Sequence, residues 1–188
     1  MNMAIQIELN IRELIKIGHL LYFRNYVYGS AGNLSAKISD SMILIKRSGA
    51  ILGELKPKDL LLVDITAKKP DNVSIDYSIH RRIYQLDDRI KYVIHAHPKY
   101  IVLATILYNS IPLSTFDEKI MFREEIHFIH VDEHQELEKL ISEQDVKRRY
   151  IIEKKHGIYT MGVRPEEALN ILESLERAAE IYIKSSRA

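Results

Sequence analysis

Midway along the chain stands the stretch Tyr92-Val93-Ile94-His95-Ala96-His97-Pro98. Its β-branched and aromatic residues predict a strand that the proline stops. Because alternate residues of a strand share one face, His95 and His97 can hold one metal ion between two imidazoles. Two half-exposed histidines on a strand are the commoner explanation of such a pair. Its position at a strand end, directly before a loop, favours a metal site, which then needs a third ligand.

Six other histidines could supply this ligand: His19, His80, His127, His130, His134 and His156. The first of them lies inside a predicted helix, where it is interpreted as a surface or packing residue. The group at positions 127, 130 and 134 is not expected to clamp one ion, because its first two members fall on opposite faces of a predicted strand. His156 is the better partner, since the glycine that follows it lets another group approach closely.

Helices and strands are predicted on both sides of this stretch. Helical periodicity covers residues 5–24, 79–86, 100–107, 133–142 and 165–182. Strands are predicted at residues 34–38, 42–45, 60–65, 126–131, 150–152 and 158–160. The first two and the last two of these strands are separated by turn residues and predict hairpins. The chain is therefore expected to be of the α/β class, with a partly antiparallel sheet.

Size and composition favour a single domain over residues 1–188. A chain of 188 residues, 46% hydrophobic and 28% charged, can bury one sizeable core. It has no cysteine, which excludes disulfides and thiolate metal sites and leaves His, Asp and Glu as metal ligands. Lys+Arg 27 and Asp+Glu 26 give a net charge of +1, so no overall field attracts nucleic acid or an anionic membrane.

The apolar segments are short. Charged residues interrupt the N-terminal segment from Glu8 onward, which is unlike a signal peptide. Apolar runs such as residues 60–63 are far below the ~20 residues that cross a bilayer. We therefore expect a soluble, cytoplasmic protein. The abundance of Lys, Glu, Arg and Ile, with few glycines, indicates a heat-adapted source.

Two loops of small residues and one carboxylate are further candidates. Gly29-Ser30-Ala31-Gly32-Asn33 and Ser48-Gly49 could present backbone N–H groups to an anion, although each by itself is more often only a turn. Asp76 has two interpretations. It is either the N-cap of the helix that follows it or a general base.

Five motifs, taken together, carry a family resemblance. They are Gly29-Ser30-Ala31-Gly32-Asn33-Leu34-Ser35, Ser48-Gly49, Ser74-x-Asp76-x-x-x-His80, His95-x-His97 and His156-Gly157. In this order and spacing, over residues 7–182, the chain resembles the class II aldolase/adducin family. The resemblance implies a three-layer α/β/α fold with a mixed, largely antiparallel central sheet. It also implies a cyclic homotetramer with sites between subunits.

The same resemblance implies an activity. A divalent metal, usually zinc, would be held by His95, His97 and His156. The phosphate of a sugar phosphate would be held by Asn33, Ser48, Gly49 and Ser74. The implied enzyme is a zinc-dependent aldolase that cleaves a ketose 1-phosphate, such as L-fuculose 1-phosphate, to dihydroxyacetone phosphate and an aldehyde. In such an enzyme the metal would act as a Lewis acid on the substrate, and Asp76 would move the proton.

The chain departs from the aldolase pattern around this carboxylate. The family's aldolases usually have Glu where this chain has Asp76, and Ser or Thr where it has Ile75, so one phosphate-binding hydroxyl is missing. The aspartate instead resembles the L-ribulose-5-phosphate 4-epimerases of the family. An epimerase is therefore one alternative activity.

Another departure concerns the general acid. Phe116 falls where the fuculose-phosphate enzymes have a tyrosine acid. Residues 115–118 and 155–159 also resemble methylthioribulose-1-phosphate dehydratases, whose acid/base glutamate would match Glu118. An alternative of another class is a non-catalytic, adducin-like binding module without metal, which the complete histidine set disfavours.

Overall fold

The strand predicted around His95 lies inside a six-stranded sheet. The computed structural model describes residues 2–68 and 70–186. Its strands are β1 (Asn33–Lys37), β2 (Met42–Lys46), β3 (Leu60–Asp64), β4 (Tyr92–Ala96), β5 (Ser110–Ile111), β6 (Ile126–His127), β7 (Tyr150–Glu153) and β8 (Gly157–Gly162). The order in the main sheet is β3-β2-β1-β4-β8-β7, and β5 pairs only with β6. Every pairing between these named strands, in the described part of the chain, is antiparallel.

Helices cover both faces of this sheet. They are α1 (Met3–Phe23), α2 (Tyr77–Leu86), α3 (Lys99–Leu107), α4 (Phe116–Phe122), α5 (Leu137–Leu140), α6 (Glu143–Arg148) and α7 (Pro165–Ser185). One core joins α1, α3 and α7 to strand residues such as Leu34 and Ile94. A second core joins α2, α5 and α6 to Val93 and Tyr159. The predicted three-layer α/β/α architecture is thereby confirmed.

The sequence explains why the outer helices start where they do. The side chain of Asn2 accepts a hydrogen bond from the backbone N–H of Ala4 at 3.0 Å and so caps α1. Pro165 stands at the first turn of α7, and two glutamates follow it beside the positive end of the helix. Both helices lie within a few residues of the limits that periodicity predicts.

The region between α3 and β7 differs from its prediction. The strand expected over residues 126–131 is limited to Ile126–His127. Beyond it, Ile129 leaves that strand and pairs with the edge of β7, donating to the Ile152 carbonyl at 2.7 Å and accepting from the Lys154 N–H at 2.8 Å. Long-range pairing with an edge strand therefore overrides the local β pattern.

The helix expected over residues 133–142 is also broken up. It becomes a 3₁₀ turn at His134–Glu136 followed by α5. Ser142 then starts a new helix, because its hydroxyl accepts the N–H of Asp145 in a capping box. Helix α4 is absent from the prediction, although Thr115 caps it in the same way.

The single-domain prediction over residues 1–188 includes residues 1, 69, 187 and 188, which lie outside the described part. The described residues build one central sheet with a layer of helices on each face. Among the helices described, none is both long enough and apolar enough to span a membrane.

Replacing Gly32 by alanine should destabilise the protein much more than replacing Gly29. Both glycines have positive φ, so alanine costs about 1–2 kcal/mol at either position. At Gly32 a Cβ would also stand 2.9 Å from the carbonyl oxygen of His95, and this overlap should add about 1–3 kcal/mol. At Gly29 a Cβ meets no atom within 4 Å. The free energy of unfolding in urea measures both effects, and equal losses in the two variants would contradict the tight packing of this loop on β4.

Candidate active site

Three imidazoles meet at one end of the sheet. His95 is carried by β4, His97 follows that strand directly, and His156 lies in the turn between β7 and β8. The pairing of His95 with Tyr159 across β4 and β8 brings this turn to the end of β4. The three ring centroids lie 4.6–5.0 Å apart. We call these residues the three-histidine cluster.

The turn that carries His156 needs a glycine after it. A Cβ on Gly157 would stand 2.5 Å from the carbonyl oxygen of Ala96 and 2.6 Å from the ring of His97. Only a residue without a side chain lets the turn come this close to the end of β4. The close approach expected from His156-Gly157 is therefore present.

Two rings of the cluster each have a free Nε2, because their Nδ1 atoms have acceptor partners. Nδ1 of His95 lies 3.0 Å from the carbonyl oxygen of Ile158, which can only accept, so this nitrogen carries the proton and Nε2 is free. Nδ1 of His156 lies 2.5 Å from a carboxylate oxygen of Glu153, which leaves its Nε2 free in the same way. That Nε2 is 3.2 Å from Nε2 of His97.

This donor set fits a divalent cation. Potential ligand atoms of the three histidines lie within 4.8 Å of one another. Burial and neighbouring histidines lower the pKa of His97 to about 3, and burial, against the attraction of Asp76, lowers that of His95 to about 4. Both rings are thus neutral near pH 7 and need not release a proton to bind metal. Three nitrogen ligands with an open position are typical of catalytic zinc.

Asp76 stands beside the cluster and does not cap α2. It is the residue before the first turn, but its carboxylate makes no capping hydrogen bond. One oxygen instead contacts Nε2 of His134 at 2.6 Å. The other accepts from the Asn33 side-chain amide and lies 3.7 Å from Nε2 of His95. The capping interpretation is therefore not realised.

Asp76 is ionised near pH 7. Burial by itself raises the pKa of this carboxyl. Attraction to His95, which acts only on a protonated ring, and the hydrogen bond from His134 outweigh burial and hold the pKa well below its usual range. Because His95 is neutral near pH 7, the hydrogen bond from His134, whose pKa is raised to about 10, is the contact that keeps the carboxyl ionised there. The buried side chain is therefore a carboxylate with its partners already in place.

The residues predicted to bind metal, to bind phosphate and to move the proton line one cavity of about 460 Å³. Its lining includes Asn33, Ser48, Gly49, Ser74, Asp76, His95, His97 and His156. Asn33 reaches it because it pairs directly with His95 across β1 and β4. Ser48 and Ser74 are brought together because the loops that carry them are joined by backbone hydrogen bonds, including Ser48 N–H to the Asn72 carbonyl at 2.8 Å.

Lys46 is a cavity residue that the sequence motifs do not include. Its ammonium group donates to the carbonyl oxygens of Ser30 at 3.0 Å and Ala50 at 2.6 Å, so it ties together the two small-residue loops. Burial, partly opposed by Asp76 and Asp59, lowers the pKa of Lys46 to about 8.

His134 and Glu153 are also outside the residues that the sequence places at the site. His127 and His130 lie outside the lining of the cavity, but His134 is part of it. Its two ring nitrogens contact Asp76 at 2.6 Å and Glu153 at 2.8 Å. Spacing along the chain does not predict that His134 contacts Asp76 and Glu153, because the position of His134 depends on the pairing of Ile129 with β7.

Other candidates have different surroundings. His80 is buried behind the site, with Nδ1 2.7 Å from the Ser35 hydroxyl. Glu118 accepts the N–H groups of Ser114 and Thr115 at 2.6 and 3.0 Å and so caps α4. Phe116 is 77% exposed on the same helix. Neither Phe116 nor Glu118 lines the cavity formed by the described residues.

The family model described as Class II Aldolase and Adducin N-terminal domain matches residues 12–183. The chain belongs to the class II aldolase/adducin family. It is 34% identical over 177 residues to an L-fuculose phosphate aldolase of Methanococcus vannielii, covering 92% of this chain and 95% of the relative. It is 28% identical over 187 residues to a methylthioribulose-1-phosphate dehydratase of Methylococcus capsulatus, covering 91% of each.

Solved structures agree with this class II aldolase in fold. The L-fuculose-1-phosphate aldolase of Thermus thermophilus superposes with a TM-score of 0.85 at 21% identity, covering 93% of both chains. A structure described as L-fuculose 1-phosphate aldolase superposes with a TM-score of 0.81 at 26% identity, covering 95% of this chain and 86% of the other. The family and the enzyme class expected from the motifs are confirmed.

Replacing His97 by alanine should remove the bound metal, whereas replacing His130 should not. His97 supplies one of three converging nitrogens, and two imidazoles alone hold zinc weakly. His130 is an exposed histidine outside the cavity and serves as the matched control. The measurement is the number of metal ions per chain that each variant retains after desalting. Retention of a full equivalent by the His97 variant would show that the ion binds elsewhere.

Proposed function

We propose that this class II aldolase uses zinc to cleave a ketose 1-phosphate of the L-fuculose 1-phosphate type into dihydroxyacetone phosphate and an aldehyde. The observation that carries the proposal is the layout of the cavity. The three-histidine cluster and the ionised Asp76 lie together on one side, and Asn33, Ser48, Gly49 and Ser74 supply polar groups in the same cavity. Relatives named L-fuculose phosphate aldolase support the choice of substrate class.

The phosphate would be held by neutral donors. Gly49 has φ +76°, which turns the loop after β2 so that it lines the cavity. The hydroxyls of Ser48 and Ser74 and the amide of Asn33 add side-chain donors, and Lys46 places a cation behind the loops. Holding the phosphate fixes the distance from the reacting carbons to the three-histidine cluster.

The proton would be moved by Asp76. Cleavage of the bond between C3 and C4 takes the proton from the C4 hydroxyl, leaves the electron pair on C3 and releases the aldehyde; C3 then takes up a proton. His95, His97 and His156 would hold a divalent cation, which would supply Lewis-acid polarisation of the substrate carbonyl. Asp76, 3.7 Å from Nε2 of His95, is within reach of a hydroxyl held there.

The epimerase and dehydratase alternatives would use the same cavity. Asp76 favours an epimerase, because the epimerases of the family have an aspartate at this position. The relative named methylthioribulose-1-phosphate dehydratase supports the dehydratase. Glu118 does not line the cavity formed by the described residues, and its Oε2 accepts two backbone N–H groups, so no contact within this chain brings it to the substrate. A screen of sugar phosphates with the zinc-loaded protein, read by product identity, separates the three. Release of dihydroxyacetone phosphate supports the aldolase.

Three further expectations belong to this proposal. We infer a homotetramer with sites between subunits, and α4 offers an apolar surface for it through exposed Phe116, Ile120 and Met121. A cytoplasmic location and a heat-adapted source stay predictions from composition.

Replacing Asp76 by asparagine should abolish turnover while metal stays bound. Asparagine keeps the shape of the side chain but cannot take up a proton, so kcat should fall by about 10²-fold or more. The exposed Asp71→Asn is the control. Turnover and metal content are measured on the same samples. Near-normal activity in Asp76→Asn would remove this residue from the mechanism.

Replacing Ile75 by serine should improve binding of a phosphorylated substrate. Ile75 lines the cavity and is 75% exposed, where the family's aldolases usually have a hydroxyl. A hydrogen bond to a charged group is worth ~1.5–3 kcal/mol, so KM for a ketose 1-phosphate should fall about tenfold or more. KM for the unphosphorylated sugar should not change. If the variant turns over the phosphorylated sugar less well, Ile75 serves a different ligand and the aldolase proposal fails here.

A further inference from the structure

A chain of side-chain contacts connects the three-histidine cluster to Asp76, the proposed base. Nδ1 of His156 lies 2.5 Å from Oε2 of Glu153. The same oxygen lies 2.8 Å from Nδ1 of His134. Nε2 of His134 lies 2.6 Å from Oδ1 of Asp76. Each link is of hydrogen-bond length, so the rings and carboxylates of these four residues hold one another in place.

Both carboxylates of this chain are buried. Glu153 and Asp76 are each 3% exposed. A buried carboxylate without donors would cost several kcal/mol, so each needs polar partners nearby. His134 offers one ring nitrogen to each of them. It is the only histidine of the described residues with contacts to both.

The edge of the sheet at β7 positions both Glu153 and His134. Glu153 is the last residue of β7 and pairs with Gly157 in the turn that carries His156. The segment with His134 follows Ile129, whose backbone pairs with the edge of β7 on either side of Glu153. One edge strand therefore places the carboxylate and also the histidine that contacts it.

We propose that Glu153 and His134 are positioning residues of the site. Glu153 holds the ring of His156 with Nε2 toward the metal, and His134 holds the carboxylate of Asp76 for proton transfer. A carboxylate on the far nitrogen of a metal-binding histidine fixes its orientation and raises its basicity. The part that concerns Asp76 rests on the proposed function, whereas the part that concerns Glu153 needs only metal binding.

A second metal ion is the competing explanation. His134, Glu153 and His156 also present ligand atoms within 4.8 Å of one another. His156 belongs to this group and to the three-histidine cluster, so two ions would require both of its ring nitrogens as ligands. Its Nδ1 already has a carboxylate partner at 2.5 Å, which favours a single ion.

The first experiment measures zinc affinity by competition with a chelator, with no substrate present. Glu153→Gln should bind zinc about 10–100-fold more weakly than wild type. Glu136→Gln, an exposed glutamate of the neighbouring segment, is the control and should bind as wild type does. Wild type should hold one zinc per chain. Unchanged affinity in Glu153→Gln, or two zinc ions per wild-type chain, would overturn the assignment of Glu153.

The second experiment tests the link to His134 by a double-mutant cycle on the same affinity. His134→Ala should weaken zinc binding less than Glu153→Gln does, and the double variant should bind no more weakly than Glu153→Gln alone, because both changes break one chain. Strictly additive losses would overturn the link. His130→Ala is the control for His134.

The third readout is turnover, which separates this inference from the proposed function. His134→Ala should lower kcat about 10–100-fold with KM little changed, and His134→Gln, which can still donate to Asp76, should recover part of the loss. Unchanged kcat in His134→Ala would overturn its role toward Asp76. If wild type binds zinc and Glu153→Gln weakens it, but no sugar phosphate is cleaved, the proposed function fails and the assignment of Glu153 stands.

Discussion

The register between β4 and β8 is the constraint on which the site depends. His95 opposite Tyr159 sets the turn at His156 against the end of β4, and Gly157 allows the turn to touch the Ala96 carbonyl. A shift of one residue would send the side chains of a strand to the opposite face. The cluster of imidazoles is therefore as secure as the buried sheet beneath it, in which Ile94 and Ile158 are almost fully buried.

The same sheet explains why the residues proposed to bind phosphate and those proposed to bind metal share one cavity. On the other side of β4, Asn33 pairs with His95. The loop of small residues at 29–33 therefore ends beside the three-histidine cluster. Lys46 then joins that loop to the loop after β2. Anion-binding and metal-binding motifs that are far apart in the chain become neighbours because β1 and β8 flank the same central strand.

The buried polar groups of the site have protonation states that fit their neighbours. Burial keeps His95 and His97 neutral, as metal ligands must be, while the carboxylates of Asp76 and Glu153 stay ionised against hydrogen-bond donors. Buried carboxylates are tolerated only with such partners. A cation on the three-histidine cluster would add to that compensation, so metal binding and the ordering of this side of the cavity are coupled.

By itself, the sequence determined the elements whose own residues carry the pattern. The amphipathic helices α1 and α7, the hairpins and the strand with His95 follow from local periodicity, and the ordered motifs identified the family. The structure brings the ring nitrogens of His95, His97 and His156 together, and a strand face and a glycine turn are the local signals of this proximity. These features depend on interactions within a few residues.

Only the tertiary structure decided the rest of the site. The local pattern at residues 126–142 predicts a strand and a helix, but pairing of Ile129 with β7 replaces them with an irregular segment that carries His134 to Asp76. Local sequence equally could not show that the Asp76 side chain does not cap α2, since its partners are Asn33 and His134. The physical reason is that contacts between residues distant in sequence outweigh weak local propensities once their side chains are buried together.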